Sequence, residues 1–191
     1  MVMPSKNSVK IQAADSYYHV YNRGANKENI FRDKQDYVYF LHLLKRHLSI
    51  EPVLDKYERP YRHLRDQVEL LSYCLMPNHF HLLLLNKECT GMELLMRSIT
   101  TAYSMYFNRK YEHSGHVFQG IYKASMIDSN NYVQHISRYI HLNPKNYKEY
   151  EFSSYQAIIK KWNVEWLSSG GVMDLFEGTT EQYVEFVADY E

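Results

Sequence analysis

The chain reads as an α+β fold with a four-stranded antiparallel sheet and helices packed on one of its faces. Three observations predict this. Aromatic, β-branched or aliphatic runs with strand character recur near residues 16–21, 70–75, 79–85 and 115–127. Apolar residues at three- and four-residue steps fill the interval after the first run and the interval after the third. The second and third runs are separated only by Met76, Pro77 and Asn78, a hairpin signal. The order strand, helix, strand, strand, helix, strand is the split βαβ, ferredoxin-like or RRM-like arrangement. A further helix and a small helical tail are expected after it.

Each element has its own local reason. Ser16 to Tyr21 is rich in aromatic and β-branched residues and stops at Asn22-Arg23-Gly24-Ala25-Asn26, a turn signal. Asp33 caps the next helix, with Asp36 at its third position to complete a capping box. Tyr37, Phe40, Leu41, Leu44 and Leu48 give that helix one apolar face. Residues 51–67 are polar, contain two prolines, and read as a mobile excursion between elements. Leu70 to Leu75 forms the second strand, and the run from His79 the third. Thr90 and Glu93 match a second capping box. The helix behind it runs to about Lys110, with Leu95, Ile99, Ala102 and Tyr106 on one face. Residues 115–127 read as a fourth strand bulged at Gly120. Asp128-Ser129-Asn130 is a cap cluster ahead of a helix that Pro144 ends. The tail reads as short helices with Ser153 or Ser154 and Thr180 as caps.

Composition bounds the class. A length of 191 residues with 45% hydrophobic content fits one domain over residues 1–147, with an extension over 148–191 packed on it. Two cysteines, Cys74 and Cys89, make no disulfide framework, and Met1 to Lys10 has no apolar signal region. A reducing cytoplasm and no membrane are the expectation. Basic and acidic residues balance at 22 each, but not evenly along the chain. From Lys148 onward there are 3 basic and 9 acidic residues, which leaves 19 and 13 in residues 1–147 together with all ten histidines. A basic body with an acidic tail permits a polyanionic partner.

Two stretches carry chemistry. In His79-Phe80-His81 the side chains alternate between faces, so the two imidazoles project together from positions about 6.6 Å apart. A neutral imidazole pair suits a divalent cation, and a third donor must come from elsewhere. Tyr139 and Asn143 are four apart, which on a helix puts a phenolic oxygen and an amide oxygen on one face, about 6 Å apart along the axis. A phenol can act as a nucleophile and an amide carbonyl can ligate a hard cation. Taken singly, each residue also has a plain structural reading: satisfied histidines on a strand, a core tyrosine, an asparagine ahead of a proline.

Together, and in this order, the stretches resemble the single-tyrosine HUH transposases of bacterial insertion sequences, and most closely the REP-associated tyrosine transposases. His79-Phe80-His81 is similar to the two histidines around a large apolar residue that name the group, and Met76-Pro77-Asn78 precedes it in the same manner. Further resemblance lies in Tyr18 to Gly24, in Gly115-His116-Val117-Phe118-Gln119-Gly120 with Tyr122-Lys123, and in Arg138 to Pro144. The insertion-sequence branch usually has Gln at the position of Asn143, while the REP-associated branch has Asn-Pro. Ile121 stands where relatives often carry Arg, which removes one phosphate contact.

The resemblance implies an α/β sandwich that cleaves and rejoins single-stranded or hairpin DNA through a 5′-phosphotyrosine, with DNA transposition as the outcome. It implies Tyr139 as the nucleophile and His79, His81 and Asn143 as holders of one Mg²⁺ or Mn²⁺. Arg23, Arg97, Arg109 and Lys123 are candidate phosphate contacts, Phe118 and Tyr122 candidate base-stacking residues, and His135 a candidate proton helper. A homodimer is expected, because strand exchange needs two nucleophiles. The alternatives are a non-enzymatic RRM-like nucleic-acid binder, a water-using metal phosphoesterase, and a domesticated relative with a host role.

Overall fold

In the computed structural model, which describes residues 12–176 and 179–189, four strands form one sheet in the order β2-β3-β1-β4. They are β1 (Ser16–Arg23), β2 (Val68–Met76), β3 (His79–Asn86) and β4 (Lys123–Ile127). All three neighbouring pairs are antiparallel. With α1 (Lys34–Leu48) after β1 and α2 (Gly91–Tyr111) after β3, this is the expected ferredoxin-like topology. The stretch Met1 to Lys10, read as lacking an apolar signal region, lies outside the described residues. Among the described residues no helix is long and apolar enough to cross a membrane.

Alternation along the strands builds two cores, one on each face of the sheet. Tyr18, Val20, Phe80, Leu82 and Leu84 pack with Phe40, Leu44, Leu95, Ile99 and Tyr103 from α1 and α2. On the opposite face, Leu71, Cys74, Leu83 and Ile127 pack against α3 (Asn130–His141) and the helices that follow it. Those are α4 (Tyr155–Ile159), α5 (Gly170–Met173) and α6 (Thr180–Ala188). Fully burying a side chain such as Phe80 contributes about 1.5–3 kcal/mol, so a sheet covered on both faces is held firmly in place.

The capping box at α1 forms as expected: Asp33 accepts from the Asp36 amide, and the Asp36 side chain accepts from the Asp33 amide. Asp36 is fully buried, and Lys110 from the last turn of α2 lies 2.7 Å from it. Tyr106 and Tyr111 also hydrogen-bond to Asp36, so the start of α1 is clasped to the end of α2. The second expected box does not form. Thr90 has helical backbone angles and its side chain caps nothing. Asn86, at the end of β3, instead accepts from the Met92 amide at 2.8 Å, and Glu93 accepts from Gln12. A strand-end amide has displaced the local serine-type cap because β3 delivers it to the helix start.

Residues 115–122 are a second correction. Only Lys123–Ile127 is strand, and Gly115 has a positive φ of 108° that ends the approach from α2. Continuing the Tyr21–Lys123 register would bring Gly24 opposite Gly120; it bridges Phe118 instead. The slip is larger than a single-residue bulge and leaves 119–122 as a loop. Residues 51–67 are not a free excursion. His47 and His63 bond to the carbonyls of Arg62 and Ser49, and Arg65 donates to the carbonyls of Leu48 and Glu165. In the tail, Ser154 precedes α4 but makes no capping bond, while Ser153 Oγ accepts from the Tyr155 amide at 3.2 Å; the residue before α6 is Thr179, with Thr180 already helical.

Candidate functional site

One face of the sheet, the one under α3, gathers the expected site. Antiparallel pairing places His81 opposite Tyr21, which in turn faces Lys123, and places His79 opposite Arg23. Directly opposed residues project to the same side. His79, His81, Tyr21, Arg23 and Lys123 therefore share a face, while Phe80 is fully buried in the other core. The turn before His79 is anchored, because the Gly24 amide donates to the Asn78 carbonyl at 2.8 Å, and Ile30 and Phe31 both donate to the Pro77 carbonyl. A Cβ at Gly24 would collide with the Glu28 carbonyl, so only glycine permits this close return of the chain.

Above that face lies α3. Its apolar side, Val133 and Ile140, is buried in the second core. Tyr139 is half-exposed, and its ring stands edge-on to His81, with centroids 5.4 Å apart, and to His19, at 5.7 Å. The helix ends at His141, so Asn143 lies in the turn beyond it and not on the helix itself. That turn remains tight: the Asn143 amide donates back to the Ile140 carbonyl. Asn143 Oδ1 reaches 2.9 Å from His79 Nε2, while His79 Nδ1 is 2.6 Å from Asn78 Oδ1. The four residues predicted for nucleophile and metal thus come together from β3, α3 and the turn after α3.

A fifth was not predicted. His19 on β1 lies diagonal to His81, and its Nε2 is 2.9 Å from His81 Nδ1, with the rings stacked at 5.0 Å. The only signal for it in the sequence was its place in the family-like run from Tyr18 to Gly24. Burial pushes the His19 imidazole down to about 4. It pushes His81 well below the usual value too, aided by the neighbouring His19 and His79. Both rings are neutral at pH 7, the state in which imidazole binds a cation.

The donor set fits a divalent cation. Two imidazole nitrogens and an amide oxygen bring no negative charge, which leaves the ion's charge free to attract phosphate; the oxygen suits Mg²⁺ or Mn²⁺, and the nitrogens favour the softer Mn²⁺. Among the described residues no group of three or more His, Cys, Asp and Glu could hold a metal ion. The expected set contains only two such side chains, and its third donor is an amide.

The remaining candidates divide by face. Arg23 and Lys123 flank the histidines, with Arg23 bonded to Gln119. Arg97 is exposed on α2 and lines a large cavity on the opposite side of the sheet, and Arg109 lies on another stretch of α2 beside Tyr39 and Lys110. Phe118 and Tyr122 are buried in the first core, so neither ring is presented for stacking as expected. His135 bonds to Arg138 at 2.7 Å and packs by Phe186, sharing a cavity with Tyr139 along α3. Ile121 is 79% exposed and faces solvent.

The helix carrying Tyr139 is fixed from behind by a buried polar chain. His141 is fully buried, with Nδ1 2.5 Å from the Tyr183 hydroxyl and Nε2 2.7 Å from Ser154 Oγ. Ser154 Oγ accepts from the Tyr73 amide at 2.9 Å, and the Tyr183 hydroxyl donates to Ser137 at 3.3 Å. This links β2, α3, α4 and α6. Burial lowers His141 to about 3, so it is neutral.

Known proteins share this architecture. No curated protein sequence matches the chain. A solved structure of a REP-associated tyrosine transposase bound to a REP hairpin superposes with a TM-score of 0.57 at 15% identity, covering 87% of this chain and 92% of its own. A crystal structure of a candidate transposase from Deinococcus radiodurans R1 is also similar, with a TM-score of 0.42 at 14% identity over 72% of this chain and 95% of its own. The family model for IS200-like transposases matches residues 12–143, which contain His19, His79, His81, Tyr139 and Asn143, and the chain belongs to that family of IS200-like transposases.

Proposed function

We propose that this DNA transposase cleaves and rejoins single-stranded or hairpin DNA through a 5′-phosphotyrosine at Tyr139, with one divalent cation held by His79, His81 and Asn143. The observation that carries the reading is the convergence of Tyr139, edge-on to His81 at 5.4 Å, with Asn143 Oδ1 2.9 Å from His79 Nε2. When bound, Mg²⁺ or Mn²⁺ supplies Lewis-acid polarisation of the scissile phosphate. The chain supplies the rest. The Tyr139 oxygen forms a bond to phosphorus and gives up its proton; the bond from phosphorus to the 3′ oxygen breaks, and that oxygen leaves as a 3′-OH. Rejoining reverses these steps, and the phosphotyrosine conserves the bond energy, so no nucleotide cofactor is consumed. Arg23 and Lys123 lie on the same face and are the phosphate contacts this geometry favours.

A scissile phosphate must pass between Tyr139 on α3 and the histidines on the sheet, which a flexible single strand can do and a stiff duplex cannot, so plain duplex is not the substrate of this reading. A homodimer provides the second nucleophile for strand exchange. The β2 edge is closed, because Leu75 donates to Phe152 and Ser154 to Tyr73, so pairing along a sheet edge falls to β4, which has no outer neighbour among the described residues. The RRM-like alternative is disfavoured because α3 and the helices after it cover much of the sheet face on which bases would stack.

The test is a 3′-end-labelled hairpin incubated with Mn²⁺ and either wild-type protein or Tyr139→Phe, then run on a denaturing gel. Wild type is expected to yield a labelled protein band and Tyr139→Phe none, because only the oxygen is removed. A labelled band from Tyr139→Phe would place the nucleophile elsewhere.

A further inference from the structure

We infer that His19 is a positioning residue that holds His81 in the tautomer whose Nε2 is free to ligate a cation. The inference rests on the metal site proposed above and adds to it a residue outside the donor set. Two ring nitrogens 2.9 Å apart, His19 Nε2 and His81 Nδ1, can have only one proton between them. If His19 donates, the proton of His81 sits on Nε2, where it blocks ligation. If His81 donates from Nδ1, its Nε2 carries a lone pair, and His19 carries its own proton on Nδ1. Only the second arrangement makes His81 a ligand.

The metal site proposed above requires that arrangement. His81 has no other hydrogen-bond partner among the described residues, so the contact with His19 is its one fixed polar interaction, and the direction of that bond sets which nitrogen carries the proton. His19 is rigidly presented: it sits in the middle of β1, opposite Leu83 on one side and Ser125 on the other. It also stacks on His81 and meets the Tyr139 ring edge-on at 5.7 Å, so the same side chain sets ring orientation for the ligand and bounds the nucleophile. Orientation of metal-binding histidines through their second nitrogen is a general requirement, and losing such a partner typically weakens metal binding 10–100-fold. His79 meets the same requirement differently, through Asn78.

The experiment combines a measurement without metal and one with it. Long-range ¹H–¹⁵N correlation spectra of the metal-free protein report the tautomer of each histidine. Wild type is expected to show His81 protonated on Nδ1. His19→Phe keeps a ring in place and removes the acceptor; His81 should then lose this tautomeric preference, and Mn²⁺ affinity measured by calorimetry should fall at least tenfold. His19→Gln returns an acceptor near the position of Nε2 and should restore both. His81 protonated on Nε2 in the wild type would overturn the inference, as would His19→Phe leaving both tautomer and Mn²⁺ affinity unchanged. If His19→Phe does not fold, the wild-type tautomer and His19→Gln still decide the matter. If wild type binds no Mn²⁺ at the histidines, the metal reading fails, while the tautomer spectra separately judge the His19–His81 contact.

Discussion

At the scale of single residues, alternation on β3 separates two jobs that adjoin in sequence. Phe80 fills the core, while His79 and His81 turn to the site. Replacing either histidine by Ala should therefore leave the fold largely intact and reduce DNA cleavage by on the order of 10³-fold, the worth of several kcal/mol of charge stabilisation. Cleavage assays with Mn²⁺ or EDTA check this, and equal rates with and without chelator would refute metal dependence. The buried histidines also predict acid sensitivity. The folded-state values of His141 and His19, about 3 and about 4, lie below the ordinary 6.5, so the unfolded chain binds protons first as pH falls. Their contribution is fully present above 6.5 and is lost downward toward pH 3–4, at roughly 1.4 kcal/mol per pH unit for each histidine. Chemical denaturation at stepped pH should show this slope, and His141→Gln should show it reduced by one proton.

At the scale of elements, the position of α3 depends on what lies behind it. Tyr183 on α6 hydrogen-bonds to both His141 and Ser137, so the tail is tied to the nucleophile helix. Tyr183→Phe removes the hydroxyl and leaves these buried partners short of one bond. It should cost about 1–3 kcal/mol in urea unfolding; a change below 0.3 kcal/mol would mean the chain of bonds is not a structural tie. The start of α2 is a second case. Asn86→Ala deletes the side-chain cap at the Met92 amide and should cost about 1 kcal/mol, whereas Thr90→Ala should be nearly neutral because Thr90 caps nothing.

At the scale of the whole molecule, equal numbers of basic and acidic residues conceal a basic body and an acidic tail. DNA binding should still weaken steeply with salt, since phosphate contacts release counterions. A titration of hairpin binding from low to physiological salt measures the slope, and a flat response would contradict phosphate-led binding. The proposed homodimer predicts twice the monomer mass by light scattering with DNA present. A monomeric mass with and without DNA would remove the β4 edge from consideration.

The sequence by itself determined the order of strands and helices, the hairpin that carries His79 and His81, and the capping box at α1, because each rests on patterns a few residues long. Period-two and period-3.6 patterns and the Asp33–Asp36 pair survive in any packing that buries the apolar face. It also marked Tyr139 and Asn143, through their spacing and the run that contains them. Only the tertiary structure decided what depended on register and distance. Asn86 displaced Thr90 as a cap because β3 ends where α2 begins. Gly24 bridged Phe118 because the chain returns tightly there, and this shortened the fourth strand. Phe118 and Tyr122 went into the core, on the side of the sheet that Ala124 also faces. His19 joined His81 because antiparallel pairing sets a residue diagonal to one 62 positions away, and no local pattern encodes a contact across that separation.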